Sequence, residues 1–303
     1  MSSTVDTLTQ EIEAQTATID KTLERQLAGR GRSPLPTTVQ QTLSANCCPL
    51  TAVVVPLSYE AVTPQETDAD TVAPAGAAVA LLHLMTQTHG RLTEAEQTPA
   101  ESLLAGDIEF SLAFELLLEA ETSSEQLLAC HKRLTTTCRQ LIEVQYQAPT
   151  TPQTEREYLE IVHDTTGKLF GTAAAIGGIL AGVSSQYIEY LTAYGRYVGT
   201  ARQLYVDVCT ATASSPERDW QPAYNGFAPA TTLGTVYAQE RTGNPNAAVN
   251  TDDIAHVRQR VGEQTRAARQ FLTAMDTEET KQLDVLARQL ATAATSAADG
   301  LNG

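Results

Sequence analysis

Apolar residues return every three or four positions along most of this chain, and prolines, glycines and capping residues cut the pattern into long pieces. That spacing is the period of an α-helix, and a chain that keeps it from end to end is directed to a helical bundle. Val5, Leu8, Ile12, Ile19, Leu23 and Leu27 set the first stripe, which Gly29-Arg30-Gly31 and the linker Ser33-Pro34-Leu35-Pro36 bring to an end. Residues 50–62 are apolar and β-branched in the middle. Their length and surroundings predict a buried helix, against the objection of Pro56, which removes an interior hydrogen bond. A polar loop over 63–71 precedes a second buried helix over 75–89. Thr98-Pro99-Ala100-Glu101 is a helix start, with a capping Thr, Pro at the first helical position and Glu three residues on. That helix is expected to reach about residue 120.

Thr122-Ser123-Ser124-Glu125 repeats the capping-box pattern and opens a helix over 126–144. Pro149 and Pro152 make the next stop, and a further helical tract starts near Thr154. Residues 169–183 are the longest apolar run, rich in Gly and Ala, and read as a buried helix too short to span a membrane. Residues 184–211 continue the pattern through Tyr187, Tyr190, Leu191, Tyr194, Val198 and Ala201. Residues 214–250 hold Pro216, Pro222, Gly226, Pro229, Gly243 and Pro245 and are expected to be loop-rich. Two helices, over 252–274 and 276–297, close the chain, the second opened by Asp276-Thr277-Glu278-Glu279. No repeat of fixed period and no break in composition divides the 303 residues, so one all-α domain over 1–303 is expected, with 1–35 as N-terminal helix and linker.

Composition narrows the partners. The chain holds 36 Asp and Glu against 20 Lys and Arg, a net charge of -16. A nucleic-acid binder needs a basic footprint, and anionic lipid needs one too, so both are excluded as partners. Only Lys21, Lys132, Lys168 and Lys281 are lysines. Many acids, few lysines and abundant Thr and Ala point to a cytoplasm rich in salt, where self-repulsion is screened. No secretory signal and no transmembrane run is visible, which leads to a cytoplasmic expectation and free thiols for Cys47, Cys48, Cys130, Cys138 and Cys209. Their spacings, with the five histidines, make no zinc site.

Side chains that suggest chemistry are few. His83 and His89 lie six residues apart and do not share a helix face, so packed or capping roles are expected. Lys168, ahead of Leu169-Phe170-Gly171, is placed to meet an anion or simply to lie in solvent. Asp207 stands alone in the apolar Leu204-Tyr205-Val206-Asp207-Val208. A carboxylate there needs an Arg or Tyr partner, or else serves catalysis, because burying it unpaired is costly. Tyr187, Tyr190, Tyr194, Tyr197 and Tyr205 read as core and interface.

Several stretches, taken in order, resemble the trans-polyprenyl diphosphate synthases. Leu103-Leu104-Ala105-Gly106-Asp107, with Phe110 and Ala113-Phe114-Glu115-Leu116-Leu117, is similar to that family's L-x-G-D…A-F-E-L-L helix. Tyr158-Leu159-Glu160-Ile161, Thr166 and Leu169-Phe170 resemble its Y-x-x-I…K-T-A-x-L-F segment. Tyr194-Gly195-Arg196-Tyr197-Val198-Gly199 and Gln203-Leu204 resemble Y-G-x-x-L-G-x-A-F-Q-I. Leu81-Leu82-His83 with His89, and Ser58-Tyr59-Glu60-Ala61, resemble two further helices. Together they cover roughly residues 45–240. The resemblance implies a bundle of long helices around a central cavity. It also implies two D-D-x-x-D motifs that hold magnesium against an allylic diphosphate, because Mg²⁺ takes oxygen ligands and bridges carboxylate to phosphate.

At those motifs the chain departs from the family. The first motif falls on Gly90, Arg91 and Glu94, the second on Val206, Asp207 and Thr210, so two of six carboxylates remain. The family's G-G-K-R-x-R-P falls on residues 46–52, its R-R-G has no counterpart in residues 95–98, the lysine of K-T becomes Thr165, and a later G-K appears as Gly226-Phe227. The resemblance therefore implies a catalytically degenerate homologue that needs no cofactor and acts as a non-catalytic or regulatory partner. It would form a homodimer, or a heterodimer with an active synthase subunit, through helices within roughly residues 75–120. Two alternatives stay open. One is a prenyltransferase joining an allylic group to isopentenyl diphosphate, with Glu94 and Asp207 as residual magnesium ligands and Gln203 and Lys168 binding substrate. The other is a carrier of a neutral isoprenoid.

Overall fold

The structure, a computed structural model, describes residues 2–28, 49–63, 69–90, 99–147, 151–212, 231–275 and 278–299. Helix α1 spans Ser2–Ala28, α2 Leu50–Glu60, α3 Ala69–Gly90, α4 Pro99–Leu117 and α5 Ser124–Gln147. After them come α6 (Glu155–Val162), a π-helical turn (His163–Gly167), α7 (Lys168–Leu180), α8 (Ser185–Thr212), α9 (Leu233–Thr242), α10 (Thr251–Met275) and α11 (Lys281–Asp299). No strand occurs among the described residues, and no described helix is long and apolar enough to cross a membrane.

Helices α2, α3 and α7 form the centre. Nearly all of their described side chains are buried, which explains why they read as apolar all round. Helices α4, α8 and α11 pack on that centre, and α10 lies against α8 and α11. The α7–α8 crossing is a backbone-to-backbone contact. A Cβ on Gly195 would lie 2.5 Å from the Phe170 carbonyl oxygen, and one on Gly199 would lie 2.7 Å from that of Thr166. Glycine at these two positions lets α8 press onto the π-turn and α7, and so sets the height of everything that follows on α8.

Pro56 stays inside α2. Proline has no N–H for the carbonyl four residues back, that of Ala52. That oxygen faces Gly76 of α3, lying 3.2 Å from where a Cβ would be, and the glycine makes room for it. The capping box before α5 is one residue later than the sequence pattern placed it. Ser123 Oγ accepts from Gln126 N–H while Gln126 Oε1 accepts from Ser123 N–H, so Ser123 and Gln126 form the box in place of Thr122 and Glu125. The amide nitrogen of Gln126 also donates to the carbonyls of Ile179 and Leu180, closing the end of α7.

The loop-rich expectation for 214–250 needs a correction. Residues 233–242 form α9, with Thr232 as N-cap accepting from Thr235 N–H and Gly243 in the left-handed conformation after it. The prolines and glycines that suggested a loop flank this helix. The cap at Asp276-Thr277, the linker over 29–36 and the start at Thr98 lie outside the described residues.

Candidate functional site

The last turns of α8 carry the second motif position, and packing decides what its side chains meet. Asp207 is buried at 3% exposure. Its Oδ2 accepts from the Tyr158 hydroxyl at 2.5 Å and from the Leu233 backbone N–H at 3.0 Å, and its Oδ1 accepts from Gln203 Nε2 at 3.1 Å. Three elements meet at this carboxylate: α6 through Tyr158, α8 through Gln203, and the first turn of α9 through Leu233. Thr154 caps α6 and so fixes Tyr158, one turn on. The carboxylate thus supplies an acceptor to a free N–H at the start of α9, where negative charge is favoured. Burial pushes Asp207 up to about 7, outweighing the three hydrogen bonds that favour its charged form. Burial, then the neighbouring Asp207, raises the Tyr158 phenol well above its ordinary value.

The other second-motif positions carry no acid. Val206 is half-buried, and the exposed Thr210 turns its hydroxyl back to the Val206 carbonyl. At the first motif, Gly90 is the last residue of α3, while Arg91 and Glu94 lie outside the described residues, as do 46–48, 95–98 and Gly226-Phe227. Thr165, where the family lysine would stand, turns its hydroxyl onto the Ile161 carbonyl at 2.7 Å. Lys168 does not join Gln203. Its Nζ lies 3.5 Å from Asp164 Oδ1, which also accepts from Arg196 Nη2 at 3.0 Å, so both cations are drawn to one carboxylate beside the π-turn. Among the described residues, no three His, Cys, Asp or Glu side chains converge where they would hold a metal ion.

Arg202 and Glu109 are buried charged side chains, as is Asp253, which pairs with Arg241. Arg202 is 1% exposed, and burial lowers it to about 10, which leaves it charged at neutral pH. His83 lies within its field. Burial first, and the Arg202 charge second, hold the imidazole down to about 3, so it is neutral. His83 Nδ1 is 2.8 Å from Thr51 Oγ1, a polar link between α2 and α3, and His83 Nε2 has no partner among the described residues. Glu109 is wholly buried on α4 and accepts from Thr88 Oγ1 at 3.2 Å. The signal for it lies in spacing: Ser102, Ala105, Glu109, Leu112, Ala113 and Leu116 all fall in the buried stripe of α4.

On the outside, α4, α5 and the turn between them expose several large apolar side chains. Leu103, Leu104, Leu118, Leu128, Ile142 and Tyr146 are exposed, Leu128 at 70% and Tyr146 at 91%. Phe110 packs edge-on against Phe114, which stacks on His131 of α5 at 5.5 Å and ties the two helices together. Within 75–120, where an interface is expected, residues 75–88 are buried within the chain itself, while Leu103, Leu104 and Leu118 are exposed.

Comparison with known proteins gives four findings. A family model described as polyprenyl synthetase matches residues 93–219. The geranylgeranyl diphosphate synthase of Methanosarcina mazei is 31% identical over 223 residues, 68% of this chain and 68% of that one. Among solved structures, a geranylgeranyl pyrophosphate synthetase from the archaeon Geoglobus acetivorans superimposes with a TM-score of 0.78 at 22% identity, over 94% of this chain and 98% of that one. The mint heterotetrameric geranyl pyrophosphate synthase shares the fold at a TM-score of 0.52 and 16% identity, over 86% of this chain and 98% of that one.

Proposed function

This chain belongs to the polyprenyl synthetase family, and we propose that it is a catalytically degenerate member that works as a non-catalytic partner subunit in isoprenoid biosynthesis. The observation that carries this reading is the state of Asp207, the one acid left at the second motif. Tyr158, Gln203 and the Leu233 N–H already occupy its oxygens. A hydroxyl, an amide nitrogen and a backbone N–H are hydrogen-bond donors and compete with a cation for the same lone pairs. Freeing Asp207 for magnesium would open the start of α9 and leave Tyr158 without its partner. The described part of the site therefore does not fit the ion, and no catalytic step is routed through it. Thr165, which offers a hydroxyl bonded to the Ile161 carbonyl where the family has a lysine, supports the same reading on the diphosphate side.

The partner role rests on the exposed apolar side chains of α4, α5 and the turn between them. A monomer seldom exposes Leu128 and Tyr146 beside Leu103, Leu104, Leu118 and Ile142 without a use for them. The occupant is a second synthase-fold subunit, either another copy or an active relative. The heterotetrameric state named for the mint relative is a precedent within the fold for mixed assemblies.

The test is co-expression with an active synthase from the same cell. Co-purification, together with altered stability or product length of that enzyme, is the expected result. A parallel incubation of this chain alone with magnesium, isopentenyl diphosphate and an allylic diphosphate is expected to give no elongated product. Turnover that disappears in Asp207→Ala would replace the partner reading with a prenyltransferase.

A further inference from the structure

Helix α1 is held to the bundle by apolar contacts and against like charges. Ile19 sits in the notch at Gly76 of α3, where a Cβ would come within 2.8 Å of its Cδ1, and Leu8, Ile12 and Leu23 are buried on the same helix. Alongside this apolar seam, the buried Gln15 spans two carboxylates with one amide. Its Nε2 donates to Glu11 Oε1 at 2.9 Å and to Glu60 Oε1 of α2 at 2.8 Å. No cation pairs with Glu11 or Glu60 among the described residues. From α1 the facing groups are Glu11 and Gln15, and α3, α7, α8 and α11, which also pack on α2, put no charged partner on either carboxylate. Further along α1, Asp20 is half-buried near Glu24, also with no cation paired to it. The ion pair from Arg25 to Glu119 spans 3.5 Å with both side chains well exposed, a class that contributes about 0–1 kcal/mol.

We propose that α1 is a strap whose docking is governed by protons and salt: it closes when the Glu11–Glu60 bridge carries a proton or is screened, and loosens when both carboxylates are charged in dilute salt. Burial, and after it the Glu11 charge, push Glu60 up to about 7 from 4.5. Burial and then Glu24 push Asp20 up to about 6. The docked state thus binds a proton more tightly than the released state. Docking is strongest below pH 3.8, weakens as pH climbs to about 7, and changes no further above that. Salt acts in the same direction as acid, because these half-exposed charges lie within a Debye length of each other. Release uncovers Ala52 and Gly76, the seam between α2 and α3, next to the Thr51–His83 link inside the bundle.

Hydrogen exchange of the full chain, followed by mass spectrometry and corrected for intrinsic rates, tests this. The readout compares peptides from α1 with peptides from α8. Opening of α1 is expected to rise by about tenfold or more between about pH 5 and about pH 7 in dilute buffer, while α8 does not follow. Molar potassium chloride should reduce the rise by screening Glu11, and Glu60→Gln should leave only the smaller part due to Asp20. Exchange of α1 that ignores pH and salt, that tracks α8 under every condition, or that keeps its full pH dependence in Glu60→Gln would overturn the proposal.

Discussion

Replacing Asp207 by Asn separates a structural clamp from a metal ligand. Asn keeps the shape and one acceptor oxygen but loses the second acceptor and the charge. In the parent chain the two oxygens serve three donors, all in the core of the α6–α8–α9 junction. At about pH 4 the folded parent carries a proton, and Asn differs from it by one further buried N–H among donors, which costs about 1–3 kcal/mol. The charge term has its own pH dependence. The folded carboxyl titrates near 7, against 3.8 when unfolded, so the unfolded chain releases its proton first and stability falls as pH rises between those values. The span from 3.8 to about 7 corresponds to about 4 kcal/mol, with the three donors' stabilisation of the charged form already included. The parent's advantage over Asp207→Asn should therefore be greatest near pH 4, shrink through the window, and vanish or reverse above pH 7. Urea titrations of both proteins across that range, with and without millimolar magnesium, measure it. A stability difference that is constant with pH would refute the buried-clamp argument. So would one that appears only when magnesium is added, because a metal ligand matters to stability only when the metal is bound.

Three other outcomes follow from the packing. Gly195→Ala should cost at least about 2 kcal/mol in urea unfolding, since its Cβ would sit 2.5 Å from the Phe170 carbonyl oxygen and backbone cannot step aside cheaply. Ser123→Ala should cost about 1 kcal/mol by removing the α5 cap, and Thr122→Ala, which leaves the Ser123–Gln126 box intact, should cost less. Leu104→Glu combined with Leu128→Glu should leave the melting temperature within a few degrees of the parent while shifting the oligomer to a smaller species by light scattering, because both side chains are exposed in the isolated chain.

Much of the helical layout was legible from period and punctuation. Stripes such as Leu8, Ile12, Ile19 and Leu23, and the Thr154 cap, are local signals read within one or two turns. The misses have a common cause. Helix α9 hid because Pro229, Gly243 and Pro245 sit close around ten residues of weak amphipathicity, and what holds it is partly Asp207, 26 residues away. The α5 box slipped by one because Thr122 and Ser123 are both good caps, and Gln126 was chosen by its reach to the end of α7. Glu109 shares the spacing of its buried stripe, but charge argues for exposure there and at Arg202, so spacing and residue type give opposite readings.

The order of residues alone determined that this chain folds as helices and that its family resemblance runs through the core. Those properties are written residue by residue, and helical period and motif spacing need no folded neighbour to be read. What Asp207 does with its charge was decided only by tertiary structure. A carboxylate's role depends on which donors reach it and how much water is left, and Tyr158 and Leu233 arrive there from distant parts of the chain. The same holds for Glu60, which meets Glu11 only because α1 folds back across α2 and brings two like charges to one amide.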